Sequence, residues 1–160
     1  MTIKPGEAIP EAKLMQATAE GPKEVSTHDL FAGKTVVLFG VPGAFTPTCS
    51  AKHLPGFVSQ AAALKAKGAD AIACIAVNDV FVMGAWGKDQ GVGEDVVMLA
   101  DGSAAFTKAL GLELDLTARG LGTRSQRFVL VAKDGKVSHV AVEAPGAFEV
   151  SSAEAALAAL

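Results

Sequence analysis

Residues 35–50 read TVVLFGVPGAFTPTCS. The run from Thr35 to Val41 is almost wholly apolar and rich in β-branched side chains, which is typical of a strand covered on both faces. Pro42 and Gly43 then mark a turn, and Pro47 suits the first position of a helix. A covered strand that runs through a turn into a helix is the unit from which layered α/β folds are built, so this stretch predicts that class.

The same alternation of short β-branched runs and longer helical segments continues along the chain. Further strands are predicted at Ala71 to Val77, Val96 to Ala100, Phe128 to Ala132 and Val137 to Val142. Helices are predicted near residues 49–67, 79–89, 103–110 and 152–160. The Asp-Gly pair at 134–135 suits a tight hairpin turn, so the last two strands are expected to be antiparallel. The sequence thus predicts a central mixed β-sheet flanked by helices.

Composition narrows the functional classes. The 160 residues are 50% hydrophobic and 19% charged, with a formal net charge of -3. Such a chain is long enough to fold as one domain over residues 1–160 and too apolar for disorder. Its mild acidity, without a basic run, argues against nucleic acid and anionic membranes as partners. No apolar stretch approaches the roughly 18 residues of a membrane span, and residues 1–7 contain no signal core, so a cytoplasmic protein is expected.

Two cysteines, Cys49 and Cys74, are too few for a disulfide framework, and the three histidines lack zinc-ligand spacing. Cys49 falls in the first turn of a predicted helix, where unpaired N–H groups and the helix dipole favour a thiolate. It also lies beyond the carboxyl end of a strand, where α/β folds place their ligands. Cys49 is therefore a candidate nucleophile, although free cysteines are also common as small buried apolar residues.

The residues around Cys49 resemble a known family. Residues 42–49, PGAFTPTC, fit the peroxiredoxin active-site pattern of Pro, three residues, Thr, two residues and Cys. Over about residues 3–145 the chain resembles the peroxiredoxin-5 (type II, atypical) subfamily, with HLPGF at 53–57, LKAKG at 64–68, VND at 77–79, WG at 86–87 and RF at 127–128. The resemblance implies a thioredoxin-like fold and an enzyme that reduces hydrogen peroxide or small organic hydroperoxides to water or alcohols.

The resemblance also assigns roles to individual residues. Cys49 would be the peroxidatic cysteine, whose thiolate attacks the peroxide and becomes a sulfenic acid. Thr46 would hydrogen-bond the peroxide, and Pro42 would shield the site from water. Arg127 would hold the thiolate charge and stabilise the departing oxygen. No metal or organic cofactor is implied.

Two of these assignments have alternatives in the residues themselves. Thr46, directly before Pro47, also fits a plain helix N-cap. Arg127 could lie at a solvated strand edge, and Arg124 could take its place. The resemblance favours Arg127, because it is the arginine that directly precedes Phe128 and the predicted strand.

His53, four residues after Cys49, raises a different enzyme class. On a helix the two side chains share a face, so a Cys-His pair could catalyse acyl transfer with the imidazole as base, oriented by Asn78 or Asp79. Nothing in the sequence identifies an acyl substrate or an oxyanion hole, and the resemblance makes His53 a neighbour of the site. We therefore expect a peroxidase rather than a cysteine hydrolase.

Cys74 lies in the middle of a predicted apolar strand and is expected to be an inert core thiol, although it could instead form a resolving disulfide with Cys49. Residues 137–160 contain no cysteine, so the subfamily's resolving cysteine near the C-terminus has no counterpart. We therefore expect a one-cysteine cycle that glutathione with glutaredoxin, or a thioredoxin-like partner, reduces. The resemblance also implies a homodimer. A thiol redox sensor or holdase without turnover would have the same site residues and is the alternative function.

Overall fold

A computed structural model describes all residues 1–160. The strands are β1 (Lys13–Thr18), β2 (Gly21–Ser26), β3 (Thr35–Gly40), β4 (Ala71–Ala76), β5 (Val97–Ala100), β6 (Glu113–Leu116), β7 (Gly122–Ser125), β8 (Phe128–Lys133) and β9 (Lys136–Val142). The helices are α1 (Thr27–Phe31), α2 (Leu54–Ser59), α3 (Ala61–Ala66), α4 (Val80–Asp89), α5 (Ala105–Ala109) and α6 (Ala153–Ala159). No helix combines the length and the apolar character needed to cross a bilayer.

Seven strands form one sheet in the order β2-β1-β5-β4-β3-β8-β9. The central strands β3, β4 and β5 are parallel, and every other pair in the sheet is antiparallel. Strands β6 and β7 form a separate two-stranded ribbon. The predicted mixed sheet of a thioredoxin-like fold is therefore confirmed.

Alternate residues of β3 divide the core into two layers, as the two-residue period of a strand requires. Val37 and Phe39 belong to a buried cluster with side chains of α2, α3, α4 and α6. Val36 and Leu38 belong to a second cluster with Phe31 of α1 and Phe106 of α5 on the opposite face. Both faces of β3 are covered, which explains why its sequence is apolar throughout.

The predicted hairpin is confirmed, with β8 antiparallel to β9 across a turn at Asp134 and Gly135. Both turn residues have positive φ, 50° and 75°, as a two-residue type I′ turn requires. The predicted helix over 49–67 differs in detail. It opens with a π-helical turn over Cys49–His53 and is interrupted at Gln60, where φ is -100° and ψ is 7°, between α2 and α3.

The end of β3 brings the two halves of the site together. Gly40 pairs with Phe128 at the start of β8, and the Phe128 ring occupies the space that a side chain at Gly40 would need. The turn that leaves β3 toward Cys49 and the residue that precedes β8, Arg127, therefore lie at the same edge of the sheet.

Candidate active site

Cys49 lies in the first turn of the helix that follows β3, and it is fully buried. The turn begins where the Thr46 carbonyl accepts from the Ser50 N–H (3.0 Å), so Thr46 holds the cap position and Pro47 follows as the first helical residue. The N–H groups of Thr48 and Cys49 donate to no acceptor within the protein. These free donors and the positive end of the turn favour negative charge beside the sulfur.

The Thr46 hydroxyl is directed at the sulfur and does not cap the backbone. Its Oγ1 lies 2.9 Å from Cys49 Sγ and 2.7 Å from the Gly43 carbonyl oxygen. Because a hydroxyl has a single proton, an ionised Cys49 receives that proton as a hydrogen bond, whereas a protonated Cys49 leaves it to Gly43. Thr46 therefore occupies the predicted N-cap position and also contacts the thiol.

Arg127 reaches the sulfur from the start of β8. Its Nη2 lies 3.1 Å from Cys49 Sγ, and its Nη1 lies 2.8 Å from Nδ1 of His53. Arg124 instead donates to backbone carbonyls, from Nη1 to Val77 (3.1 Å) and from Nε to Leu121 (2.8 Å). Of the two candidate arginines, only Arg127 touches the thiol.

His53 is fully buried between the arginine and the C-terminal segment. Its Nε2 lies 2.8 Å from the carbonyl oxygen of Ser151, which can only accept, so Nε2 holds the proton and Nδ1 accepts from Arg127. Burial and the nearby Arg127 charge lower the pKa of His53 from 6.5 to about 3. The imidazole is therefore neutral.

This arrangement does not support the Cys-His hydrolase interpretation. Neither ring nitrogen of His53 is bonded to Cys49, since both have other partners. The residues suggested as orienting groups also serve elsewhere. Asn78 Oδ1 accepts from the Ala44 N–H (2.9 Å), and Asp79 caps α4 by accepting from the Val82 N–H (2.8 Å).

Cys74 and Pro42 form no hydrogen bond to the Cys49 sulfur. Cys74 is fully buried in β4 opposite Phe39, and both cysteines are free thiols. Burial, and secondarily the charge of Cys49, raise the pKa of Cys74 well above its usual range, which keeps it protonated. Pro42 is half-buried in the turn that follows β3.

Three contacts of the site were not foreseen from the sequence. Arg127 uses His53 as an acceptor, the Ser151 carbonyl fixes the tautomer of His53, and the Trp86 indole N–H donates to Ser50 Oγ (3.0 Å) beside the nucleophile. The spacing of His53 from Cys49 was the available signal for the first contact. A backbone carbonyl has no signature in a sequence.

Comparison with known proteins identifies the family of the chain. Residues 4–157 match the model of the Redoxin family. Peroxiredoxin-2C of Oryza sativa subsp. japonica is 53% identical over 156 residues, which cover 97% of this chain and 96% of that protein. The chain is a peroxiredoxin of the Redoxin family.

Solved peroxiredoxin structures have the same fold. A reduced Prx3 from Vibrio vulnificus in complex with H2O2 is 55% identical with a TM-score of 0.94, and 99% of each chain is covered. Peroxiredoxin 5 from Alvinella pompejana is 37% identical with a TM-score of 0.87, covering 98% of this chain and 97% of that one. This peroxiredoxin is accordingly a thiol-dependent peroxidase, and the predicted relation to the peroxiredoxin-5 type is confirmed.

The neutral state of His53 has a measurable consequence for stability. Below about pH 6.5 the unfolded chain protonates this imidazole, whereas the folded chain does so only near pH 3, so acid favours unfolding. Between pH 7.5 and 5 we expect wild type to lose about 2 kcal/mol more unfolding free energy than His53→Gln. Urea denaturation at both pH values measures this difference.

The control is His28→Gln, which removes an exposed histidine. This variant should follow the wild-type pH dependence. Equal losses of stability in wild type and His53→Gln would show that folding does not lower the pKa of His53.

Proposed function

We propose that Cys49 is the sulfur with which this thiol-dependent peroxidase attacks hydroperoxides, assisted by Thr46, Arg127 and Pro42. The observation that supports it most directly is the convergence on Cys49 Sγ of the Thr46 hydroxyl (2.9 Å) and the Arg127 guanidinium (3.1 Å). A relative that was crystallised with H2O2 supports a hydroperoxide as the substrate.

The proposed reaction displaces one oxygen from the other. The thiolate sulfur attacks the nearer peroxide oxygen, the O–O bond breaks, and its electron pair leaves with the distal oxygen. That oxygen takes up a proton and departs as water or alcohol, and Cys49 becomes a sulfenic acid. Arg127 faces the negative charge as it passes from sulfur to oxygen, and the Thr46 hydroxyl turns its proton toward the reacting atoms. Pro42 shields them from water, as the resemblance implies.

We propose that an external thiol completes the cycle. A thiol of glutathione or of a thioredoxin-like protein would displace water from the sulfenic acid to give a mixed disulfide, and a second thiol would release Cys49. Cys74 is an unsuitable resolving group because it is buried in the sheet and protonated, and the thiolate is the form that attacks.

One experiment tests the nucleophile and its resolution together. After one equivalent of hydrogen peroxide, intact mass spectrometry should show the gain of one oxygen on wild type and Cys74→Ala. Cys49→Ser should gain none, because the attacking sulfur is gone. Loss of two hydrogens in wild type, abolished by either variant, would instead make Cys74 the resolving cysteine.

Turnover distinguishes the enzyme from a thiol sensor or holdase. With glutathione and glutaredoxin, or thioredoxin with its reductase, peroxide consumption should exceed one equivalent per Cys49 many times over. Consumption that stops at one equivalent with every reductant would favour the sensor.

The role of Arg127 gives a quantitative prediction. Arg127→Met should lower the second-order rate constant of Cys49 oxidation by about 100-fold or more, since it removes the cation beside the reacting atoms. Stopped-flow fluorescence can follow the reaction, because Trp86 is the only tryptophan and is bonded to the residue after Cys49. Arg119→Met removes an exposed arginine and should leave the rate unchanged. Equal rates in the two variants would refute the role.

We further propose a homodimer. Phe45 and Phe81 are 53% and 74% exposed, and the bond between the Ala44 N–H and Asn78 Oδ1 ties together the segments that lead to them. Such aromatic exposure beside the site fits a second copy of this chain. Sedimentation velocity should show a dimer that Phe81→Ser weakens, and a monomeric wild type would refute it.

Residues 1–160 are proposed to act as one domain, since one seven-stranded sheet contains both β1 and β9, and Ile3 packs in the core against that sheet. A single unfolding transition would support this.

We propose a cytoplasmic location, where free thiols such as these two persist, and cell fractionation tests it.

A further inference from the structure

A buried carboxylate near the end of β9 clasps the C-terminal loop. Glu143 is 7% exposed and forms no ion pair with a lysine or arginine. Its oxygens accept from the N–H groups of Glu149 (2.9 Å), Val150 (2.8 Å) and Ser151 (2.8 Å), and from Ser151 Oγ (2.7 Å). Burial opposes the charge of Glu143, but these hydrogen bonds outweigh it and lower its pKa. The loop is therefore fastened by a charged acceptor at its centre.

The fastened loop ends in the carbonyl that fixes His53. The N–H and Oγ of Ser151 are bonded to Glu143, and the carbonyl oxygen of Ser151 lies 2.8 Å from Nε2 of His53. Phe148 of the same loop packs edge-on against the imidazole, with ring centroids 5.1 Å apart. The position of Ser151, and with it the proton on Nε2, thus depends on Glu143.

The tautomer of His53 in turn decides how Arg127 is held. With the proton on Nε2, the Nδ1 lone pair accepts from Nη1 of Arg127, and the planar guanidinium then presents Nη2 to Cys49 Sγ. With the proton on Nδ1, an N–H would face the guanidinium and push it away. His53 accepts without adding negative charge, so the arginine keeps its full charge for the sulfur.

We propose that Glu143 is a positioning residue for the peroxidase reaction, acting through Ser151 and His53 to orient the Arg127 guanidinium on Cys49. The inference rests on the proposed roles of Cys49 and Arg127. It extends the site to residues 148–151, six to nine positions beyond the end of β9, none of which is hydrogen-bonded to the sulfur.

The test replaces the carboxylate with a group of the same shape. Glu143→Gln places an N–H₂ donor opposite the three backbone N–H groups and the Ser151 hydroxyl that now donate to the carboxylate. We expect these hydrogen bonds to weaken and the Ser151 carbonyl to move away from Nε2 of His53. In long-range ¹H–¹⁵N NMR spectra, wild-type His53 should appear as the single Nε2–H tautomer and Glu143→Gln as a mixture of tautomers. The rate constant of Cys49 oxidation by hydrogen peroxide should fall about tenfold or more, as expected for a displaced charge.

Two further variants sharpen the test. Glu149→Gln makes the same chemical change in an exposed carboxylate of the same loop and should retain the wild-type tautomer and rate. Glu143→Asp keeps the charge and should recover part of both. If Glu143→Gln does not fold, Ser151→Ala, which removes a single donor from the clasp, should shift tautomer and rate in the same direction by a smaller amount.

The outcomes separate this inference from the proposed function. Wild-type tautomer and rate in Glu143→Gln, or in Ser151→Ala where that variant replaces it, overturn the inference and leave the peroxidase role of Cys49 intact. A tautomer change without a change in rate also overturns it. A wild-type Cys49 that does not react with peroxide overturns the proposed function, while the tautomer comparison, which needs no peroxide, still decides whether Glu143 controls His53.

Discussion

The site depends on a single guanidinium that two residues share. Arg127 directs one Nη at the sulfur of Cys49 and the other at Nδ1 of His53. Because the group is planar and rigid, fixing one nitrogen fixes the direction of the other. The fold supplies each end separately, with the turn after β3 presenting the sulfur and the start of β8 presenting the arginine. The register of Gly40 against Phe128 brings these two starting points to one edge of the sheet.

The choice of a neutral acceptor explains much of the electrostatics. A carboxylate in the place of His53 would bind Arg127 more strongly but would neutralise the charge that the sulfur and the departing oxygen require. A buried imidazole whose pKa is about 3 accepts a hydrogen bond and adds no charge. The negative charge of Glu143 is kept one step back, where backbone N–H groups satisfy it. The negative charge of Glu143 thus stays away from the sulfur, while its hydrogen bonds still hold the loop that contacts His53.

Local patterns in the sequence were sufficient to predict the buried central strands of the sheet and the hairpin between β8 and β9. Strands covered on both faces, such as β3 and β4, are apolar throughout, and the positive-φ turn at Asp134 and Gly135 is signalled by its residue types. The strand β2, GPKEVS, was missed because it is largely exposed at the sheet edge and has no apolar run. The sequence analysis also missed strands β1, β6 and β7 and the short helix α1, because none of them has a continuous apolar run either.

The site likewise contains residues that the sequence could predict and contacts that it could not. Proximity in the chain places Thr46, Cys49 and His53 together. Arg127 lies 78 residues from Cys49, and the family resemblance was needed to choose it over Arg124. The link from His53 to Ser151 spans 98 residues and uses a main-chain carbonyl, which any residue could offer. No pattern of side chains announces such a partner, so only the folded chain reveals it.

The wide turn at Cys49–His53 makes the number of residues there matter as much as their identity. The Leu54 N–H bonds to the carbonyl of Cys49, five positions back, instead of to the carbonyl four back that an α-helix would use. The turn therefore holds one residue more than ordinary α-helical geometry would need. Cys49 and His53, at the two ends of this turn, contact the same guanidinium. The length of this segment is therefore a structural constraint in its own right, because a residue inserted or removed between Cys49 and His53 would change the backbone geometry that leads from one to the other.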